Sequence, residues 1–226
     1  MTVWFASGNI NKKKELMDIF STNHLSLYFD LKVPADVGLT FNPAETGSTF
    51  VENALIKAEA LYRLLSNNGS NGVWQPGDPV IADDSGVCVD ALGGRPGIHS
   101  AYYKGLGTGD WELGTRLSAA ERNALLLEEL GDNPQRSARF VCAMVLYYGP
   151  NRFYVAQESL EGELVSNADA AKGTGGFGYD PILFIPELER TVAELSTEEK
   201  NRLSHRGKAG KAIADFLFHS YKGLAN

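Results

Sequence analysis

The chain has 226 residues, 43% hydrophobic and 22% charged, with a formal net charge of −7 from 21 basic and 28 acidic side chains. That length suits one sizeable domain, or two lobes sharing a core. The acidic balance argues against broad nucleic-acid binding, which draws most of its affinity from a basic surface, but leaves room for a local cationic pocket. The longest apolar run, residues 140–148, is too short to span a bilayer. Val3-Trp4-Phe5-Ala6 is too short for a signal-peptide core. Cys88 and Cys142 sit in apolar, strand-like runs and read as buried thiols, with no disulfide framework or zinc spacing. A soluble cytoplasmic protein without a membrane partner is expected.

In chain order, the pattern opens with a strand over 3–5 and a helix over about 11–20, then alternation over 25–33. Between the first two lies Ser7-Gly8-Asn9-Ile10-Asn11-Lys12, a small polar turn that opens a helix. α/β proteins place phosphates at such a turn. It is not a Walker A loop, and a capped turn with solvated lysines would read the same. A long helix is expected over 49–66, where Thr49 and Glu52 have capping-box spacing. On its wheel Lys57 falls at the rim of the apolar stripe, beside Asn53. It either snorkels to water or points into a cleft toward an anion. Residues 67–79, rich in Asn, Gly and Pro, read as an exposed loop.

Next come two short strands, 80–82 and 87–90, flanking Asp83-Asp84-Ser85-Gly86. Adjacent carboxylates repel, so a strand end carrying both is a perch for Mg²⁺, which shares oxygen ligands with substrate phosphates. An acidic hairpin turn is the plainer reading. Glu45, ahead of the long helix, is a second candidate ligand. A helix over 119–130 and a hairpin of 137–148 with 153–162 follow.

Lys172 to Pro181 contains G-x-G-x-x-G at Gly173, Gly175 and Gly178. A dinucleotide fingerprint follows a strand and opens a helix. Here a loop precedes the motif and an apolar β-like run follows it, so a Rossmann unit and an NAD-dependent oxidoreductase are not supported. The glycines still mark a tight backbone, in which Phe177 could stack on a flat base and Asp180 accept hydrogen bonds from it. Ser196 and Glu199 form another capping-box pattern. Ser204 could cap a last helix over 208–218, placing His205 and Arg206 at its positive end, where an anion or carbonyl-rich ligand would make sense of them.

Jointly these signals list a triphosphate site. The stretches SGNINKKKEL, TFVENALIKA, IADDSGVCVDALGGRPGIHSA, GTGGFGYDPIL and ELSTEEKNRLSHRGKA also resemble, in order and spacing, the inosine/xanthosine triphosphate pyrophosphatases (Ham1-like or RdgB-like proteins). The resemblance spans nearly the whole chain. It implies an elongated α/β fold with a long mixed sheet and flanking helices, two lobes around a central substrate cleft, and a homodimer. The implied reaction is Mg²⁺-dependent hydrolysis of ITP, dITP or XTP to monophosphate and pyrophosphate. It would place the triphosphate on Ser7, Gly8, Asn9, Ile10, Asn11 and Lys12, helped by Lys57. Asp84 would be metal ligand and proton acceptor, supported by Asp83, with Ser85 touching substrate. Phe177, Gly178, Tyr179, Asp180, Lys200, His205 and Arg206 would form the nucleoside pocket. Many members carry two acids before the Thr-Gly where this chain has Ala44-Glu45. Glu45 is therefore the choice for second metal ligand, leaving Glu52 to the helix cap. The stretches 67–79 and 105–115 are longer than usual. A non-catalytic nucleotide-binding module is the competing reading, and the intact Asp83-Asp84 pair argues against it.

Overall fold

The computed structural model describes residues 1–23, 25–67, 74–104 and 117–224. Part of the loop expected over 67–79 and all of the 105–115 stretch lie outside the described residues. Seven strands, β1 (Thr2–Phe5), β2 (Asp30–Lys32), β3 (Val80–Val89), β4 (Ser137–Gly149), β5 (Arg152–Leu164), β6 (Leu183–Ile185) and β7 (Arg190–Thr191), form one sheet. Their order is β2-β1-β3-β4-β5-β6-β7. β1 runs parallel to β2 and β3, while β6 is antiparallel to β5 and β7. With helices α1 (Ile10–Thr22), α2 (Phe50–Asn67), α3 (Ala119–Leu130), α4 (Thr197–Leu203) and α5 (His205–Leu224), this is the expected α/β class with a mixed sheet.

The chain divides into two compact units, one comprising residues 1–84, 142–158 and 205–226, the other 85–141 and 159–204. It passes between them at four points, so no single stretch of altered composition could announce a boundary. In the first unit, side chains alternate across the strands. Val3, Phe5, Ile81, Cys142 and Met144 pack with Leu16 and Phe20 of α1 and Ala209 and Ile213 of α5. Trp4, Ala6, Val80, Ala82 and Val145 pack with Ala54, Ala58 and Leu61 of α2. The second unit has its own core, where Leu126, Leu127 and Leu130 of α3 meet Val87, Phe140, Leu160 and Ile182.

Capping explains the helix starts. The Asn9 side chain accepts from the N–H groups of Asn11 and Lys12. Thr49 and Glu52 exchange the expected reciprocal bonds at 3.1 Å each. Ser196 and Glu199 do so at α4, and Ser118 and Glu121 at α3. The hairpin also forms, its two-residue link passing Asn151 at φ 60°.

Three expectations are corrected. The alternating 25–33 segment is a 3₁₀ turn over Leu25–Leu27, and only Asp30–Lys32 is strand. There, the N–H groups of Tyr28 and Phe29 both turn back to the Leu25 carbonyl at 2.9 Å. The final helix starts earlier and runs further than 208–218. Most consequentially, residues 80–90 are not two strands around an acidic turn. One ten-residue strand runs straight through Asp83-Asp84-Ser85-Gly86. Gly86 serves close approach instead of turning, since a Cβ there would lie 2.2 Å from the Gly97 carbonyl oxygen and 2.4 Å from Ser100 Oγ. Ser100 Oγ in turn accepts the Val87 N–H at 2.9 Å.

A methyl group at Gly86 therefore requires backbone to move. Gly86→Ala is expected to lower unfolding free energy by about 1–3 kcal/mol, the usual cost of overpacking. Urea titration checks this, and an unchanged midpoint would refute the close-approach role.

Candidate active site

The site in the first unit begins with strand parity. β1 pairs with β3 through Trp4 opposite Val80 and Phe5 opposite Ile81, and β1 ends at Phe5. β3 continues, carrying Asp83 and Asp84 just past the carboxyl end of β1. In open α/β sheets ligands collect at such ends. Because successive strand side chains face opposite ways, the two carboxylates diverge. Asp83 shares the face of Ile81, toward α1 and α5. Asp84 shares that of Ala82, toward α2.

Each acid finds its own cations. Asp83 has a fully buried side chain. Its Oδ2 accepts from Lys12 Nζ at 2.9 Å and from Arg206 Nε and Nη2 at 3.3 and 3.2 Å, and faces Cys142 Sγ at 3.9 Å. Arg206 Nη1 also donates to Glu15 Oε2 at 2.7 Å. Burial alone would raise the Asp83 carboxyl, but the charges of Lys12, Arg206 and Lys57 outweigh it and hold the group well below the usual carboxylate range. Arg206, buried between two acids, stays charged. The Cys142 thiol is pushed up to about 12 by burial and then by Asp83.

On the other face, Lys57 Nζ donates to Asp84 Oδ1 at 3.1 Å and to Glu45 Oε1 at 3.2 Å. Asn53 Nδ2 donates to Asp84 Oδ2 at 3.3 Å, while its Oδ1 accepts the Gly47 N–H at 2.8 Å. Burial raises the Asp84 carboxyl above its usual 3.8, with Lys57 and Lys12 opposing and Glu45 reinforcing the rise. Among the described residues no group of three or more His, Cys, Asp or Glu is arranged to hold a metal ion. Asp84 and Glu45 converge instead on one ammonium. Glu52 accepts from the N–H groups of Ser48 and Thr49 at the helix entry, the capping duty expected of it.

Residues 7–12 lead from β1 into α1, and Lys12 ties their end to Asp83. Gly8, Asn9, Ile10 and Asn11 are exposed and Ser7 and Lys12 half-buried. Ser7 Oγ accepts the Asn9 N–H at 3.1 Å. Among the described residues nothing lies within 4 Å of where a Gly8 Cβ would sit, which leaves room for an approaching group.

The second unit gathers a different set. Asp180 Oδ2 accepts the Phe177 N–H at 2.6 Å and Lys200 Nζ at 2.8 Å, and the Lys200 ammonium lies 4.8 Å from the centroid of the Phe177 ring. Gly176, at φ 70°, makes this possible, because a Cβ there would stand 2.0 Å from Asp180 Oδ2. A Cβ on Gly173 would meet the Ala193 carbonyl carbon at 2.4 Å. The glycines thus fold a loop onto its own acid and onto the 191–195 segment. Asn123 Nδ2 holds the Gly178 carbonyl at 3.1 Å, and Tyr179 Oη donates to the Ser100 carbonyl at 2.8 Å. Burial pushes the Tyr179 phenol up to about 12. Ser85, half-buried on β3, belongs to this unit, and His205, buried, belongs to the first beside Arg206.

The structure supplies partners for three sequence readings. Asp180 already accepts from Lys200 and Phe177 on one carboxylate oxygen. The anion against Arg206 is the chain's own Asp83 and Glu15. Lys57 does not snorkel but points toward anions, the chain's own Asp84 and Glu45. Glu15 and Asn123 were not anticipated. Glu15 had a signal, standing three residues after Lys12 on one helix face. Asn123 had none, because its partner lies 55 positions away.

Asp83→Asn would leave the buried Arg206 and the half-buried Lys12 without their shared countercharge, an expected loss of about 3–5 kcal/mol at pH 7. Asp83 is lowered on folding, so its contribution is present above 3.8 and fades as pH falls toward its own lower pKa. Urea melts of both proteins from pH 7 down to pH 2 should show the gap steady above about 3.8 and narrowing below it. A constant gap would overturn the charge argument.

The Ham1 family model matches residues 3–216. A dITP/XTP pyrophosphatase of Treponema denticola is 44% identical over 217 residues, covering 96% of this chain and 98% of that protein. One from Geobacillus kaustophilus is 42% identical over 206 residues, covering 90% and 88%. Among solved structures, the Ham1 protein of Staphylococcus aureus superposes with a TM-score of 0.76 at 32% identity, covering 97% of this chain and 100% of its own.

Proposed function

The chain belongs to the Ham1 family, and from that premise we infer that it acts as a dITP/XTP pyrophosphatase. It hydrolyses deaminated purine nucleoside triphosphates to the monophosphate and pyrophosphate. The observation that carries the geometric side of this reading is the convergence of Asp84 and Glu45 on the single cation of Lys57, at 3.1 and 3.2 Å. Oxygen donors already gathered around one positive charge are a donor set suited to Mg²⁺, which needs only one or two carboxylates when phosphates supply the rest. Asp84 and Glu45 are the residues that would hold it, and when bound it neutralises charge on the polyphosphate.

The chain's own groups divide the remaining work. Lys12, Lys57 and the turn over residues 7–12 receive the triphosphate. Asp84, its Oδ2 steadied by Asn53, orients a water toward the α-phosphorus and accepts its proton. Its upward shift suits a proton acceptor. The water oxygen bonds phosphorus, the bond from phosphorus to the bridging oxygen breaks, and pyrophosphate leaves with the electron pair.

Within the second unit, the Phe177 ring offers a stacking face for the base, and Lys200, all donor and no acceptor, favours a 6-keto oxygen. An adenine amino group would set donor against donor, at about 1–3 kcal/mol per unpaired group. The same reading has the protein working as a cytoplasmic homodimer. A non-catalytic nucleotide sensor would have no use for an acid placed like Asp84.

With Mg²⁺, the purified protein is expected to release pyrophosphate from dITP, ITP and XTP well above dATP. Asp84→Asn should cut turnover by at least about a hundredfold, the low end for a lost acid–base group, while nucleotide binding stays measurable. A pyrophosphate-release assay paired with calorimetry checks both, and near-normal turnover in the variant would remove Asp84 from its role.

A further inference from the structure

We propose that Lys57 keeps the divalent cation's place in the resting protein and moves to the polyphosphate only when cation and nucleotide arrive together. The inference rests on the reading that this site binds a divalent cation and a nucleoside triphosphate. Four carboxylates, Glu15, Glu45, Asp83 and Asp84, face three cations, Lys12, Lys57 and Arg206, leaving a balance of −1 (three positive, four negative). A nucleotide arriving alone meets cations that are already ion-paired. A divalent cation arriving alone meets two carboxylates that already share an ammonium.

The two pairings are not equally easy to exchange. Lys12 and Arg206 converge on a carboxylate with no exposed side-chain surface. Arg206 is further fixed by Glu15. Lys57 is bound to the other acid, Asp84, and to Glu45, whose side chain is 35% exposed. Its four-carbon stem is flexible, and Asp84 keeps a second anchor in Asn53 when Lys57 leaves. Lys57 cannot simply be expelled, however. Its side chain is 9% exposed, and a buried ammonium stripped of both acids needs another anion. A phosphate oxygen supplies one. A divalent cation entering the acids and a phosphate receiving the lysine are thus two halves of one exchange. Linkage then requires each ligand to favour the other by the same factor.

The test is cation binding without nucleotide, read from the free-ion electron paramagnetic resonance signal of Mn²⁺ titrated against the full chain. Lys57→Gln is expected to bind Mn²⁺ about tenfold more tightly than the unaltered protein, within the usual span of coupling between sites. Lys57→Arg, which retains the charge, should stay near the unaltered value. Equal affinity in the unaltered protein and Lys57→Gln overturns the proposal. Should Lys57→Gln fail to fold, the ¹⁵Nζ resonance of Lys57 in the unaltered protein decides. Mg²⁺ alone should leave it in place, and Mg²⁺ with a dITP analogue bearing an imido bridge between the α and β phosphorus should shift it. A full shift with Mg²⁺ alone overturns the exchange. Pyrophosphate release from dITP, assayed on the same preparation, separates the two readings. Activity without the Mn²⁺ difference sinks the exchange alone, whereas the difference without activity sinks the pyrophosphatase reading and leaves the exchange standing.

Discussion

The carboxylate of Asp83 is the interaction on which the first unit turns. A charge with no exposed surface is expensive to bury, and its cost is offset only if opposite charges meet it with good geometry. Lys12 from α1 and Arg206 from α5 do so on the same oxygen, and Arg206 also ties in Glu15. A single buried acid thereby fixes where two helices stand against β3, including a residue 123 positions further along the chain. The turn over residues 7–12 is held near β3 because the residue that ends it is ion-paired there.

Strand parity then separates two duties that look identical in the sequence. Neighbouring aspartates on a pleated strand face apart, so one can be locked in place while the other answers to different partners. Asp83 is held ionised by cations that cannot leave without stranding charge. Asp84 is raised by burial and held by one flexible lysine and one carboxamide. A turn, as expected from Asp-Asp-Ser-Gly, would have left both acids solvated with nothing to distinguish them.

Much of the fold was legible because its signals are local. Thr49 with Glu52, and Ser196 with Glu199, mark helix starts through bonds spanning three residues. The β4–β5 hairpin is marked by its short link. The failures share a cause. β3 reads as broken at Asp83 because four polar or small residues interrupt an apolar run, and the cations that let such a run stay buried come from residues 12, 57 and 206. The site residues themselves were found as types in a pattern, but their partners were not. Arg206 at a helix start signalled an anion, and nothing nearby in sequence showed that the chain supplied it. Asp180 was recognised as an acceptor, yet Lys200 lies 20 positions on.

Cys142 carries a consequence of its own. A sulfur close to an arginine and a lysine is ordinarily an acidic, oxidisable thiol, because cations favour the thiolate. Here dehydration and the neighbouring Asp83 prevail, and the group stays protonated far above physiological pH. Since peroxides and alkylating agents attack thiolate and need access to it, the polar heart of the unit contains a sulfur that is chemically inert. Its charge network can therefore outlast oxidative exposure that would scar a more accessible cysteine.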